Sequence, residues 1–262
     1  MSLSLANIQR DPAREALLSR WRAAARIGQP VYACEQVAST MDAAHQLAAD
    51  GAPEGAMVWA ARQTQGRGRL GRVWVSPPGG AYLSLILRPR RPAGEHPQLS
   101  LVTGLSVAEA IQELTRLPPA IRWPNDLMIH GRKVCGILVE AASGAVIVGI
   151  GINVTTDPDK LPPTATSLSA AGPEECDPLQ LTGVLCHRFE AWYDAWTREG
   201  FAPIRAALRP WMGFFGRPIR LTAGTALMEG TATDLDEAGR LLVRFDSGMI
   251  RAFEMGEVTI LR

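Results

Sequence analysis

The sequence predicts an α+β protein in two parts: strands and helices interleaved over residues 1–212, then a small all-β unit over residues 213–262. Three observations predict it. Strand and helix periodicities follow one another along the first part. The final segment breaks into short strands separated by Gly, Asp and Ser, the rhythm of a small barrel or sandwich, with the boundary near Gly213. A chain of 262 residues, 47% hydrophobic and 20% charged, has the length and apolar content for a medium domain plus a small one.

The elements follow in order. Residues 12–27, PAREALLSRWRAAARI, have helical apolar spacing and predict an amphipathic helix. VYACEQV, residues 31–37, predicts a strand. Ser39 or Thr40 can cap a helix through MDAAHQLAAD, which Gly51 stops. MVWAARQ (57–63) is a second strand and AYLSLIL (81–87) a third, ended by Pro89 and Pro92. Residues 99–115 predict a buried helix despite Gly104. Residues 119–154 predict three antiparallel strands with turns at 130–131 and 143–144. A Pro-rich polar stretch, 155–168, precedes two helices over 178–199 and 201–211. RPIRLT, LMEGTATDLD, GRLLVRF, GMIRAFE and EVTILR are the short strands of the last part.

Composition excludes several functions. A net charge of +1 gives no basis for bulk nucleic-acid binding or a polybasic membrane anchor. No run approaches 18 apolar residues, and the N-terminus lacks a basic stretch leading into a long apolar one, so neither a membrane helix nor a secretory signal is expected. Cys34, Cys135, Cys176 and Cys186 are far apart and form no CxxC pair. They predict reduced core thiols in a cytoplasmic protein, and no metal held by His or Cys is expected.

Three segments carry chemistry. In Gln63-Thr64-Gln65-Gly66-Arg67-Gly68-Arg69-Leu70-Gly71-Arg72 the glycines allow close backbone approach, and the arginines can converge on an anion with fork geometry. The spacing is not that of a P-loop. A solvated basic turn, or a contact to nucleic-acid phosphate, uses the same residues. In Arg122-Trp123-Pro124-Asn125-Asp126-Leu127 the proline breaks an apolar strand. Asn-Asp then supplies either a structural turn or oxygen donors for Mg²⁺-bound phosphates. Finally, Lys133 opens the apolar run Val134 to Val139. Such a lysine either snorkels from a strand mouth or is functional. Gly136 beside it would let a ligand lie against the backbone.

Taken together, Ser39-Thr40, GRGRLGR with Trp74, RWPNDL, GRKVCGILVE and VGIGINV closely resemble, in order and spacing, the biotin protein ligase family. The Ala165-Thr166-Ser167-Leu168 segment resembles it too. The likeness is strong over residues 35–170, and the C-terminal strands fit the SH3-like domain this family carries. It implies a mixed β-sheet with helices, related to class II aminoacyl-tRNA synthetases and lipoate ligases, plus a small SH3-like barrel. It also implies ATP-dependent activation of biotin to biotinyl-5′-AMP and transfer to a lysine of a carboxylase biotin carrier protein, such as that of acetyl-CoA carboxylase, with Mg²⁺ accompanying ATP.

The resemblance assigns residues individually. Ser39 and Thr40 match the pair that hydrogen-bonds the ureido ring of biotin. Gln63, Gly66, Gly68, Gly136 and Leu138 match positions lining the biotin site, and Trp74 one that packs against the ligand. Arg67 and Arg69 match arginines of a disordered-to-ordered loop holding biotin and the adenylate phosphate, so residues 64–72 are expected to be mobile without ligand. Arg72, Arg122, Asn125 and Asn153 match ATP-binding positions, Asn153 near adenine or ribose. Lys133 matches the catalytic lysine between carboxylate and α-phosphate. Two positions depart from the pattern: Met41 stands where many members have Asn, and Arg122 where many have Lys. About 35 residues precede the catalytic pattern, too few for a winged helix, so no DNA role is expected. The family leaves monomer and homodimer both open. A lipoate or octanoate ligase, and a biotin-binding regulator without catalysis, are the alternatives.

Overall fold

The computed structural model describes residues 8–21, 26–142 and 144–261. Its first part is organised around two strands that are apolar except at Ser84 and Asn153, β4 (Gly80–Leu87) and β8 (Ala145–Asn153). All of their residues are buried, as expected of central strands covered on both faces. Outward from β4 lie β3 (Met57–Gln63), β2 (Val31–Val37) and the two-residue β1 (Gln9–Arg10). Outward from β8 lie β7 (Arg132–Ala142), β6 (Asp126–Ile129) and β5 (Ala120–Arg122). Among the described residues this gives one eight-stranded sheet, parallel only between β2 and β3.

One face carries α1 (Pro12–Leu18), α3 (Leu99–Thr115), α5 (Pro178–Glu199) and α6 (Ala202–Leu208); a short α4 (Leu168–Ala171) follows the Pro-rich stretch. α3 is buried around most of its circumference because α5 covers the side turned away from the sheet. The opposite face carries α2 (Thr40–Ala49), whose Met41, Ala44 and Ala48 pack on Val58, Ile86 and Ile147 in a separate apolar cluster. No described helix is long and apolar enough to cross a membrane.

The second sheet takes β9 (Pro218–Ala223), β10 (Ala226–Leu235), β11 (Leu241–Arg244), β12 (Ile250–Phe253) and β13 (Glu257–Ile260) in the order β12-β11-β10-β9-β13. It is antiparallel throughout. Its turn at 236–239 docks on the first part. The indole N–H of buried Trp123 donates to Gly239 O at 3.1 Å, and Gln98 Nε2 donates to Glu237 O at 3.2 Å.

Three expectations change. The first helix ends at Leu18 and tightens into a 3-10 turn over Ser19–Trp21, where the Ser19 hydroxyl donates to the Glu15 carbonyl. Arg26 and Ile27 lie outside any helix, and residues 22–25 lie outside the described residues. The segment 119–154 holds four strands, not three, because the Trp123–Asn125 turn folds β5 back on β6. Of its two expected turns, His130-Gly131 is present with both φ angles positive, and Ser143 lies outside the described residues. Ser39 does take the cap position of α2, but its hydroxyl makes no capping bond. The Thr40 N–H goes instead to Gln63 Oε1, at 2.8 Å.

Candidate functional site

A cleft opens above the β7–β8 end of the first sheet, roofed by the Gly/Arg loop and closed on one side by the second sheet. Five cations line it, Arg67, Arg69, Arg72, Arg122 and Lys133, against two carboxylates, Asp126 and Glu257. With Asp42 and Glu140 behind Arg67 the cations still exceed the carboxylates around them by one, a balance that favours an anionic ligand.

Lys133 is aimed by an irregularity in β7. The register against β6 runs Leu127↔Cys135 and then Met128↔Lys133, which makes Val134 an extra residue. The bulge lets Val134 and Cys135 both enter the core and turns Lys133 onto the cleft face with Gly136 and Leu138. There the ammonium stands 2.5 Å from Asp126 Oδ1, an ion pair without hydrogen-bond alignment. It also lies 5.3 Å from the centre of the Trp74 ring. The other Asp126 oxygen accepts from Arg122 at 2.6 Å. One carboxylate thus neutralises two cations across the tip of the β5–β6 turn.

Asn125 completes that tip. Its Nδ2 donates to Ile137 O at 3.0 Å, and its Oδ1 accepts from Arg69 at 2.9 Å. Burial pushes the Arg69 guanidinium below its ordinary range; Asp126 and Glu257 raise it and Arg72 lowers it further. A desolvated arginine of this kind gains from an anion placed beside it. Arg67 bridges Asp42 and Glu140, each at 2.9 Å, and Glu140 also meets His45 at 2.9 Å. Arg72 reaches across to Glu257 of the second sheet.

The inner end of the cleft is a polar slot. Gln63 accepts from the Thr40 N–H and hydroxyl and donates to Ser76 Oγ at 2.9 Å, while Ser84 Oγ donates to Thr40 Oγ1 at 2.9 Å. Two buried groups here have no protein partner, Ser39 Oγ and Trp74 Nε1. Buried polar atoms are normally satisfied, so two orphans beside one cleft fit a ligand with polar atoms of its own. The Trp74 indole lies on bare backbone: a Cβ on Gly136 or Gly151 would come within 2.9 or 2.4 Å of it. The space above Gly136 expected for a ligand is therefore taken by Trp74.

Of the residues singled out in the sequence, Thr40, Gln63, Arg67, Gly68, Arg69, Arg72, Trp74, Arg122, Asn125, Lys133, Gly136 and Leu138 line this one cleft. Ser39, Gly66 and Asn153 do not. Ser39 lies beneath the slot, 1% exposed. Gly66 is pressed between Trp74 O and Ser76 Oγ, where a Cβ would meet atoms at 2.4 and 2.7 Å. Asn153 is 1% exposed and donates to Thr166 O at 3.0 Å.

The sequence offered Asp126 only as an oxygen donor beside Asn125, not as the counter-ion of Lys133, and marked Glu257, Asp42 and Glu140 with no role. The other three meet the arginines only through the tertiary fold, and nothing local marks them.

Two family descriptions match the chain: biotin/lipoate A/B protein ligase family over residues 33–157, and biotin protein ligase C terminal domain over residues 214–261. The bifunctional ligase/repressor BirA of Bacillus subtilis is 38% identical over 240 residues, covering 87% of this chain and 73% of that protein. The biotin–[acetyl-CoA-carboxylase] ligase of Paracoccus denitrificans is 37% identical over 214 residues, covering 76% and 88%. Among solved structures, biotin protein ligase from Aquifex aeolicus in complex with biotin and ATP superposes with a TM-score of 0.78 at 31% identity, covering 88% of this chain and 98% of that one.

Proposed function

This chain belongs to the biotin protein ligase family, and from that premise we propose that its cleft activates biotin with ATP and passes it to a lysine of a biotin carrier protein. The observation that carries the reading is the pairing, in one cleft, of five cations with a buried polar slot of Thr40 and Gln63, beside which Ser39 Oγ and Trp74 Nε1 have no protein partner. A ligand with a cyclic urea at one end and a carboxylate at the other suits both halves. The slot offers hydroxyl, amide and indole groups to the urea. Gly68 and Leu138 flank the body of the ligand together with the Trp74 ring, which covers Gly136, and Gly66 holds the loop close enough to reach it.

In the first half-reaction the biotin carboxylate oxygen attacks the α-phosphorus of ATP, and the bond to the bridging oxygen breaks to release pyrophosphate. The nucleophile is already anionic, so the protein's task is to bring two anions together and spread the charge that develops. Lys133, Arg67 and Arg69 do this at the reacting atoms. Arg72, Arg122 and Asn125 hold the remaining phosphates. In the second half-reaction the acceptor amine attacks the acyl carbon, loses its proton, and AMP leaves.

Mg²⁺ accompanies ATP. The oxygen donors beside the phosphates are one carboxylate, Asp126, and one amide, Asn125, both tied to cations. Among the described residues no cluster of three or more His, Cys, Asp or Glu could hold a metal ion. That set fits an ion carried in on the nucleotide, where it offsets phosphate charge, and not a resident one.

The acceptor is the biotin carrier domain of acetyl-CoA carboxylase or a similar carboxylase, as the Paracoccus relative's name supports. Residues 1–212 form the catalytic unit and 213–262 the small β-domain that lends Glu257 to the cleft wall. Four buried free thiols support a cytoplasmic setting. The lipoate reading is weakened by the match to a C-terminal domain described for biotin ligases.

Exchange of labelled pyrophosphate into ATP tests the proposal. Exchange should require biotin, ignore lipoate, and fall by about a hundredfold in Lys133→Ala, since losing one such charge donor typically raises a barrier by roughly 3 kcal/mol. Well-folded protein without biotin-dependent exchange would leave the regulator reading in its place.

A further inference from the structure

The Gly/Arg loop is a small hairpin. Gln63 pairs with Ser76 at its base, Trp74 N donates to Gly66 O at 2.9 Å, Arg67 bridges to Val73, and Gly68 N donates to Arg72 O at 2.7 Å. A contact that fixes one arm therefore fixes Arg69 and Trp74 as well. Three arginines leave this hairpin for three different walls. Arg69 meets Asn125, Arg72 meets Glu257 of the second sheet, and Arg67 meets α2 and β7.

The wall that receives Arg67 is built by two periodicities. Asp42 and His45 stand one turn apart on α2, so they share a face. Glu140 follows Gly136 and Leu138 at alternate positions of β7, so it shares their face of the sheet, and α2 packs beside it. There Arg67 Nη2 donates to Glu140 Oε2 at 2.9 Å and stands 2.9 Å from Asp42 Oδ1. His45 Nε2 meets the same Glu140 oxygen at 2.9 Å and so holds the carboxylate from a second side. The four side chains are between 29% and 39% exposed, so water screens these pairs less than it would on an open surface. Both carboxylates take the one nitrogen Nη2, which leaves Nη1 and Nε for the cleft that Arg67 lines.

Resting on the reading of this cleft as the biotin site, we infer that Asp42, Glu140 and His45 form a seat that locks the Gly/Arg hairpin over it at Arg67. None of the three lines the cleft, so they are positioning residues that act through the arginine. Their task is biotin retention. Thr40 of the polar slot belongs to the same helix as Asp42 and His45, so a hairpin seated on α2 closes the slot, and an unseated one leaves it open to water.

Asp42→Asn/Glu140→Gln keeps both side-chain shapes and removes both charges. Trypsin, which cuts after arginine, reads the seat with no ligand present. Cleavage within residues 67–72, mapped by mass spectrometry, should run about tenfold faster in the double variant, the equivalent of losing one charge-assisted hydrogen bond. In pyrophosphate exchange, KM for biotin should rise by about tenfold while KM for ATP stays within about twofold. The same two substitutions added to Arg67→Ala should cost nothing more, since their effect runs through the arginine. Glu140→Gln alone repeats both measurements if the double variant does not fold. Equal cleavage rates, an unchanged KM for biotin, or a further loss of biotin affinity on the Arg67→Ala background would overturn the inference. Faster cleavage alongside a wild type that shows no biotin-dependent exchange would instead remove the reading of the cleft and leave the seat in place.

Discussion

Trp74 fills the space that a side chain at position 151 would need: a Cβ on Gly151 would sit 2.4 Å from the indole Nε1. The glycine and the tryptophan form one feature, a large ring laid against bare strand backbone at the floor of the cleft. Gly151→Ala should push the indole toward the ligand. The expected result is a raised KM for biotin and a loss of about 1–3 kcal/mol in stability, as for overpacked cores. Denaturant unfolding alongside steady-state kinetics checks both. An unchanged KM would show that Trp74 does not border the biotin site.

The Arg72–Glu257 contact links the Gly/Arg loop to the second sheet. Its partners are 65% and 56% exposed, so it contributes little to stability. Glu257→Ala should leave the melting temperature nearly unchanged and alter KM for ATP, with KM for biotin untouched. Differential scanning fluorimetry and initial-rate kinetics read the two quantities separately.

Alkaline pH should destabilise the fold. Burial raises the Tyr82 phenol to about 12, against an ordinary value near 10, and its hydroxyl donates to Pro77 O at 2.7 Å. Between about pH 10 and pH 12 the folded chain keeps a proton that the unfolded chain has lost, so stability falls as pH rises. The contribution is complete below about pH 10, and its loss has a slope of roughly 1.4 kcal/mol per pH unit. Burial also raises the Cys176 thiol, to about 11, which starts the decline earlier. Tyr82→Phe should flatten part of the slope while costing about 1 kcal/mol at neutral pH through its lost hydrogen bond. Urea midpoints measured from pH 8 to pH 11 check the sign.

All four cysteines are buried, and burial holds the Cys135 and Cys176 thiols well above the ordinary range. An aromatic disulfide reagent at pH 8 should therefore label no thiol in the folded protein and four after unfolding. Rapid labelling of the native state would contradict the burial.

The sequence alone determined much of this protein. Local apolar period identified the strands at Val31–Val37, Met57–Gln63 and Gly80–Leu87 and the helix at Leu99–Thr115, because burial on one or both faces is written into residue order. Motif order brought most of the cleft within reach, since Thr40, Arg69, Asn125 and Lys133 each sit in a short segment of unusual composition. What only the tertiary structure decided is how these groups meet. Asp126 becomes the counter-ion of Lys133 because a turn at Pro124 and a bulge at Val134 aim both at one point. Glu257, Asp42 and Glu140 reach the arginines across elements remote in sequence. Asn153, expected near adenine or ribose, is buried, and its amide nitrogen is fastened to Thr166. Local sequence sets which face of an element is apolar, whereas long-range packing sets what that element stands beside, and charge pairing at a cleft depends on the second.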